Sequence, residues 1–271
     1  MLGVFDSGFG GLTILKELAK VLPNYDFVYL GDNARAPYGN RSFDSIYRYS
    51  LQAVNYLFSI GCPLVILACN TASAKALRTI QQKDLQKIAP DNRVLGIIRP
   101  LTEEIGKFTE TKCVGILGTE GTVTSKSYLL EIAKFWPDLH IEQEACPMLV
   151  PLVENALLEH PATEMFVKEY TQKILAKDSR IDTLVLGCTH YPLLQGLFLK
   201  VLPKNIKIVS QGGIIAQKTL EYLAKHPETD TRISKNGKIR FLTTDSTDFF
   251  EKGAKAFWNT KIKAESILLY S

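Results

Sequence analysis

The sequence has few of the features that mark membrane, secreted or zinc-scaffold proteins. No apolar run in its 271 residues approaches the roughly 18 to 20 residues that span a bilayer. The first residues contain no basic leader and reach an acid at Asp6, so we expect no signal peptide and a cytoplasmic protein. No cysteine pair has CxxC or Cys/His zinc spacing, which disfavours a disulfide scaffold or a bound metal. The five cysteines are Cys62, Cys69, Cys113, Cys146 and Cys188.

The chain also lacks a strong excess of either charge. Lys and Arg number 32 against 28 Asp and Glu, a net charge of +4, and no basic block of five or six residues occurs. We therefore expect no nucleic-acid partner. Hydrophobic residues make up 46% and charged residues 22%, which is typical of a globular protein with a sizeable core. The length fits one large or two medium domains.

Short apolar runs alternate with longer segments of helical period, a pattern that predicts an α/β protein with a mainly parallel sheet. Continuous rather than alternating apolar runs, such as 184–186, are typical of buried parallel strands. The predicted strands are Leu2–Phe5, Phe27–Leu30, Leu64–Ala68, Val94–Ile98, Val114–Leu117, Leu184–Gly187, Ile206–Val209 and Ile239–Thr243. The predicted helices cover approximately 11–21, 43–60, 72–88, 125–135, 162–177, 213–225 and 247–257.

Two pairs of segments resemble each other across the chain. Residues 64–71 and 183–190 are each an apolar run followed by a cysteine and two polar residues, and residues 2–8 resemble 113–119 more weakly. This repetition predicts two pseudo-symmetric three-layer α/β domains whose mainly parallel sheets face each other across a central cleft, where open α/β sheets bind ligands. The alternative is a coincidence between two buried strands. We assign residues 1–97 with 210–271 to the first domain and 98–209 to the second, with a hinge near 96–100 and 208–212.

Cys69 and Cys188 differ from the other cysteines because each follows a predicted buried strand. A helix that begins there directs its free N–H groups and its dipole at the sulfur, which lowers a thiol pKa from about 8.5 toward neutrality. Such a thiol can both take and give a proton. We interpret the remaining three cysteines as small core residues.

Polar side chains follow both thiols. Asn70-Thr71 and Thr189-His190, together with helix N-terminal amides, could bind a carboxylate without a metal, although Asn70 and Thr189 could instead cap helices. His190 is either a charge partner for Cys188 or a structural histidine.

Asp6 opens a glycine-rich turn, residues 6–11, that lacks both the G-x-G-x-x-G spacing and the P-loop lysine. Its carboxylate would repel a phosphate and suits an ammonium group or a base-orienting role. Asp32 could serve as a cap or in catalysis. The hydroxyls of Thr119 and Thr122 could complete a carboxylate receptor. Glu154 follows an apolar run punctuated by prolines, and its spacing alone predicts a solvated helix residue.

The motifs together resemble the signatures of glutamate racemase, in the aspartate/glutamate racemase superfamily. The resemblance extends in order over nearly the whole chain. It rests on Phe5-Asp6-Ser7-Gly8-Phe9-Gly10-Gly11, Gly31-Asp32 through Pro37-Tyr38-Gly39, Ala68-Cys69-Asn70-Thr71-Ala72-Ser73 and Gly187-Cys188-Thr189-His190-Tyr191-Pro192. Arg99 and Ser210-Gln211 depart from the family pattern, in which an acidic or other polar residue is common before the proline and an Asp-Ser-like pair often opens the next helix.

The resemblance implies a cofactor-independent enzyme that interconverts L- and D-glutamate and supplies the D-isomer for peptidoglycan, and it implies a homodimer. Cys69 and Cys188 would be the acid/base pair, Asp6 would assist Cys69, and His190, with Glu154 as a further helper, would assist Cys188. The residues implied to hold the substrate are Asp6, Ser7, Tyr38, Gly39, Asn70, Thr71, Thr119, Thr122, Thr189 and His190.

Three other functions compete with this one. A racemase of another acidic amino acid such as aspartate, or a related decarboxylase or isomerase, would keep the superfamily and change the substrate or reaction. A cysteine hydrolase could use Cys188 and His190 but would leave Cys69 unexplained. An amino-acid-binding regulator would bind glutamate without inverting it.

Overall fold

In the computed structural model, which describes residues 1–258 and 260–269, two separate sheets form and all strand pairs within the described residues are parallel. The first sheet has six strands in the order β10-β9-β2-β1-β3-β4, and the second has four in the order β6-β5-β7-β8. The strands are β1 Leu2–Asp6, β2 Phe27–Gly31, β3 Leu64–Leu67, β4 Arg93–Gly96, β5 Cys113–Gly118, β6 His140–Ala145, β7 Thr183–Leu186, β8 Lys207–Val209, β9 Ile239–Thr243 and β10 Ala264–Ser266.

Helices connect the strands, as parallel pairing requires. They are α1 Leu12–Val21, α2 Phe43–Ser59, α3 Asn70–Lys75, α4 Leu77–Thr79, α5 Leu85–Ile88, α6 Ile98–Glu104, α7 Glu120–Thr124, α8 Ser127–Phe135, α9 Leu149–Glu154, α10 Pro161–Lys177, α11 Gln195–Val201, α12 Gly212–Lys225, α13 Pro227–Asp230 and α14 Thr247–Ala254. Short 3-10 helices occur at Asn33–Arg35, Ile105–Lys107 and Tyr191–Leu194. No helix of the described residues combines the length and apolarity needed to cross a membrane.

The two sheets share one topology, which confirms the predicted pseudo-symmetric α/β architecture. The first four strands of the first sheet lie side by side in the order β2-β1-β3-β4, and the strands of the second lie in the equivalent order β6-β5-β7-β8. Cys69 lies two residues beyond the third strand of the first sheet, and Cys188 lies two residues beyond the third strand of the second. The repeated sequence pattern therefore reflects a repeated position in the fold.

Both faces of each sheet are covered by apolar side chains. In β3, Leu64 and Ile66 belong to one buried cluster, whereas Val65 and Leu67 belong to another. The β7 residues alternate in the same way between two clusters. One of these clusters contains residues of both sheets, so a continuous apolar core joins the two halves. This double coverage explains why the central strands read as unbroken apolar runs.

Two of the predicted elements are wrong in extent. The predicted strand Val94–Ile98 ends at Gly96, and Ile98 begins α6, because Pro100 is tolerated within a first helical turn and Ile97-Ile98 fits a strand or a helix equally well. The single helix predicted at 72–88 is divided into α3, α4 and α5, with a π-helical turn at Ile80–Asp84. That turn brings Ile80 and Leu85, five residues apart, to the same buried side.

Other elements escaped the sequence prediction. The strands β6 and β10 lie at sheet edges and are only partly buried, so they lack a continuous apolar run. The helices α6, α7, α9, α11 and α13 contain seven residues or fewer and show too little periodicity. The division at 97/98 and 209/210 stays a prediction. Residues 259, 270 and 271 of the first predicted domain lie outside the described residues.

Candidate active site

A cleft of about 620 Å³, including its solvent-open mouth, lies where the carboxyl ends of strands from both sheets meet. Segments after β1, β2 and β3 contribute from the first sheet, and segments after β5, β6 and β7 contribute from the second. The lining residues are Asp6, Ser7, Pro37, Tyr38, Gly39, Asn40, Cys69, Asn70, Thr71, Thr119, Glu120, Pro147, Val150, Pro151, Cys188, Thr189 and His190. Nearly all the residues singled out by sequence therefore share one cavity. Thr122 and Glu154 lie behind its wall.

Cys69 is the N-cap of α3. Its Sγ accepts a hydrogen bond from the Ala72 amide at 3.5 Å and lies 3.5 Å from Ser7 Oγ. Burial, and next the negative charge of Asp6, raise the pKa of this thiol to about 12. The prediction of a near-neutral pKa is wrong for Cys69, because the cost of burying the thiolate outweighs the helix amides.

The surroundings of Cys188 are different. The chain beyond it forms the 3-10 helix Tyr191–Leu194 instead of an α-helix, and Cys188 Sγ lies 3.7 Å from His190 Nδ1. The other ring nitrogen, Nε2, lies 3.0 Å from Glu154 Oε1. Burial by itself lowers the pKa of His190, but the bonds to Cys188 and Glu154 outweigh it and raise the pKa well above 6.5. Cys188 thus faces an imidazolium.

Glu154 is not the solvated residue that its spacing predicts. Its side chain is 18% exposed and pairs with His190, 36 residues further along the chain. The glycine-rich turn gives this pair its room: a Cβ at Gly8 would lie 2.5 Å from Glu154 Oε1, and one at Gly10 would lie 2.4 Å from His190 Nδ1. Because Gly8 and Gly10 have no Cβ, the side chains of Glu154 and His190 from the second half can approach the backbone of the first half closely.

Asp6 ends β1 and is fully buried. Its Oδ2 accepts a hydrogen bond from the Gly8 amide at 2.8 Å, whereas Oδ1 has no hydrogen-bond partner within the described part of the chain. Burial raises the pKa of this carboxyl from its ordinary 3.8 to about 6, and the charge of His190 partly opposes the rise. A carboxyl group that is half-ionised at about pH 6 and mostly ionised at pH 7 therefore lies beside the Cys69 thiol.

Three hydroxyl groups connect the halves. Thr71 Oγ1 lies 2.9 Å from Thr119 Oγ1, which lies 3.0 Å from Thr122 Oγ1. Thr119 also caps α7, because its Oγ1 accepts the Thr122 amide at 3.2 Å. Thr122 is fully buried, so it supports Thr119 from behind.

Tyr38 and Gly39 form another wall of the cleft. The Tyr38 hydroxyl donates to the buried Asp32 carboxylate, which also accepts from Arg35 Nε at 2.8 Å. The Gly39 carbonyl accepts the amide of Gly121 at 2.8 Å, a further bond between the halves. Asp32 is thus an anchor for the loop, with no side-chain cap bond to the adjoining 3-10 helix.

Comparisons with known proteins agree with this geometry. A sequence profile of the family described as Asp/Glu/Hydantoin racemase matches residues 12–216. A glutamate racemase of Persephonella marina is 41% identical over 251 residues, 93% of this chain and 90% of that one. The chain belongs to the Asp/Glu/Hydantoin racemase family. The predicted resemblance and the predicted enzyme class, an amino-acid racemase and hence an isomerase, are confirmed.

Solved structures of this racemase family have the same fold. A glutamate racemase isoform from Bacillus anthracis superposes with a TM-score of 0.89 at 32% identity, covering 99% of this chain and 97% of that one. A glutamate racemase from Francisella tularensis, solved in complex with D-glutamate, superposes with a TM-score of 0.87 at 32% identity over the same shares.

The racemase has one further grouping that the sequence did not reveal. Ligand atoms of Cys113, His140 and Asp178 lie within 4.8 Å of one another, the one such metal-compatible group within residues 1–258 and 260–269. It lies where β5 and β6 begin, at the far end of the second sheet from the cleft. The Asp178 carboxylate forms a salt bridge there with the Arg180 guanidinium at 2.6 Å, so its charge is already compensated by a side chain.

Proposed function

We propose that this racemase interconverts L- and D-glutamate by proton transfer between the substrate α-carbon and two thiols, Cys69 and Cys188, without a cofactor. The observation that carries the proposal is the placement of these thiols at equivalent strand ends of the two sheets, lining one cleft from its two halves. Relatives named glutamate racemase, one of them solved with D-glutamate, support the choice of substrate.

Inversion requires a proton to leave one face of the α-carbon and another to arrive at the opposite face. A thiolate on one side takes the α-proton and becomes a thiol, while the thiol on the other side gives its proton to the carbanion and becomes a thiolate. The reverse reaction exchanges these roles, so protons balance in both directions. Two opposed groups avoid the need for one base to move around the carbon.

The two sulfurs have different neighbours. Cys188 faces the His190 imidazolium, which Glu154 holds, whereas Cys69 is buried beside Asp6. We assign one thiol as the base toward one enantiomer and the other thiol as the base toward the opposite enantiomer. Asp6, whose Oδ1 has no hydrogen-bond partner among the described residues, assists proton transfer at Cys69.

The cleft offers donors for the substrate carboxylates. We assign this role to the hydroxyls of Ser7, Thr71, Thr119 and Thr189 and to the amides at the start of α3. Tyr38 and Gly39 bound the cleft, and Thr122 holds Thr119. Because the Asn70 side-chain amide is engaged by Gln211 and Tyr128, Asn70 contributes through its main chain. Such preorganised donors stabilise carbanion charge in an enclosed site.

The biological setting is part of the proposal. D-glutamate made in the cytoplasm would supply peptidoglycan synthesis, and rescue of a bacterial strain that requires D-glutamate tests that role. We also propose a homodimer, for which sedimentation analysis should give twice the 30.3 kDa mass of the chain.

Circular dichroism of L-glutamate and of D-glutamate, each incubated with chelator-treated protein and no added cofactor, tests the reaction. Both solutions should lose their signal, and in D2O the product should carry α-deuterium. Cys69→Ser and Cys188→Ser should each lower kcat by about 10²- to 10⁴-fold. Cys62→Ser places the same substitution in the core outside the cleft and should retain activity.

Full racemisation by either cleft mutant would refute the two-thiol assignment. Faster inversion of L-aspartate than of L-glutamate would instead favour the alternative substrate.

A further inference from the structure

Gln211, the N-cap of α12, is 2% exposed and lies outside the cleft lining. Its Nε2 donates to the Leu186 carbonyl at 2.8 Å and to Asn70 Oδ1 at 3.2 Å. Its Oε1 accepts from Asn70 Nδ2 at 2.9 Å and from the Tyr128 hydroxyl at 3.2 Å. This one side chain therefore bonds both to α3, which follows a strand of the first sheet, and to β7 of the second sheet.

The partners of Gln211 lie beside the two thiols. Asn70 directly follows Cys69, and Leu186, the last residue of β7, is two residues before Cys188. The hydrogen bonds of Gln211 consequently tie the segment that carries one sulfur to the segment that carries the other.

The network leaves neither amide free to rotate. Asn70 Nδ2 donates to both Gln211 and the Tyr128 hydroxyl, at 2.9 Å each, so both of its hydrogens are used, as are both on Gln211 Nε2. Turning either amide would leave buried donors and acceptors without partners, which is costly in a buried site.

We propose that Gln211 is a positioning residue that fixes the separation of Cys69 and Cys188, an inference that rests on the proposed two-thiol reaction. Both sulfurs must reach one α-carbon, and a misplacement of about 1 Å can cost about 10²-fold in rate.

Gln211→Met keeps the side-chain length and removes every hydrogen bond of the amide. We expect kcat for both enantiomers to fall about 10- to 100-fold while KM changes less than threefold. The primary isotope effect with α-deuterated glutamate should increase, because proton transfer becomes fully rate-limiting. Gln217→Met is the matched control: it makes the same substitution at an exposed position of the same helix and should behave like wild type.

The readouts separate positioning from simple stability. A Gln211→Met protein with a lower Tm but wild-type kcat and isotope effect would overturn the inference. If Gln211→Met does not fold, the isosteric Gln211→Glu, which loses the donors to Leu186 and Asn70, is measured in the same way and judged by the same criteria. Wild type that fails to racemise glutamate would refute the proposed function, whereas active wild type with an equally active Gln211 variant would refute this inference alone.

Discussion

At Cys69, burial and the neighbouring Asp6 carboxylate act in the same direction, since both oppose a thiolate. At Cys188 the neighbouring charge is instead the imidazolium of His190. The repeated fold thus places two chemically identical groups at equivalent positions and gives them different electrostatic surroundings. Individual neighbours, and not the backbone position alone, determine the electrostatic surroundings of each sulfur.

This difference predicts the order of thiol alkylation. With iodoacetamide at pH 7.5, Cys188 should be modified before Cys69, because burial and Asp6 keep Cys69 as the thiol and the thiolate is the reactive form. Peptide mass spectrometry measures the order. Glu154→Gln removes the carboxylate that pairs with His190, and it should reduce the difference in alkylation rate between Cys188 and Cys69. Modification of Cys69 first would contradict the assignment.

Asp6 predicts a dependence of stability on pH. Its folded pKa of about 6 lies above the ordinary 3.8, so its contribution to the free energy of unfolding is present at low pH and is lost as pH rises through 6. From pH 5 to pH 8, wild type should lose roughly 1 to 1.5 kcal/mol relative to Asp6→Asn. Urea unfolding at the two pH values measures this change. The prediction would be contradicted if the free energies of unfolding of wild type and Asp6→Asn differed by the same amount at both pH values.

Among the elements, sequence patterns located the buried strands and missed the exposed edges. The runs that became β1, β3, β5 and β7 are apolar on both faces, so composition alone marks them. The edge strand β6 is polar and partly exposed, and nothing in its composition distinguishes it from a loop.

The same limit applies within the cleft. Strand ends identified the two thiols, and the family motifs identified Asp6 and His190. The pairing of Glu154 with His190 depends on how α9 packs, and the bonds of Gln211 join residues up to 141 positions apart. Such contacts have no local spacing to reveal them.

One element-level anchor is Asp26, just before β2. Its carboxylate accepts the amides of Asn236 at 3.0 Å and Lys238 at 2.9 Å, which holds the turn that leads into β9. Hydrogen bonds from Ser234 and from the Lys238 amide keep the pKa of Asp26 well below its usual range. The stabilisation is therefore present above pH 4 and is lost as pH falls.

Asp26→Ala should accordingly lower the free energy of unfolding at pH 7, and the difference from wild type should shrink toward pH 3. Chemical denaturation at both pH values tests this. Asp44→Ala, at a side chain that is 75% exposed, is the control and should have little effect at either pH. If Asp26→Ala lowered the free energy of unfolding equally at pH 3 and pH 7, a role for the charge of Asp26 would be excluded.

For the whole molecule, the decisive feature is a cleft whose walls belong to two sheets. A ligand that contacts both walls binds the folded arrangement and not the unfolded chain, so it must stabilise the protein.

Glutamate at 100 times its Kd should add about 2.7 kcal/mol to the free energy of unfolding. Thermal unfolding should show a higher Tm with D- or L-glutamate than with equal concentrations of aspartate or sodium chloride. An equal or larger shift with aspartate would contradict glutamate as the preferred ligand.

The order of strands in the first sheet also bears on how the chain is made. β9 and β10 follow the whole second sheet in the sequence, yet β9 pairs with β2, which precedes that sheet. During translation the edge of β2 therefore stays unpaired until the second sheet and then β9 have been synthesised. An unpaired strand edge can pair with the wrong segment. Completion of the first sheet therefore depends on the chain segment that follows the second sheet.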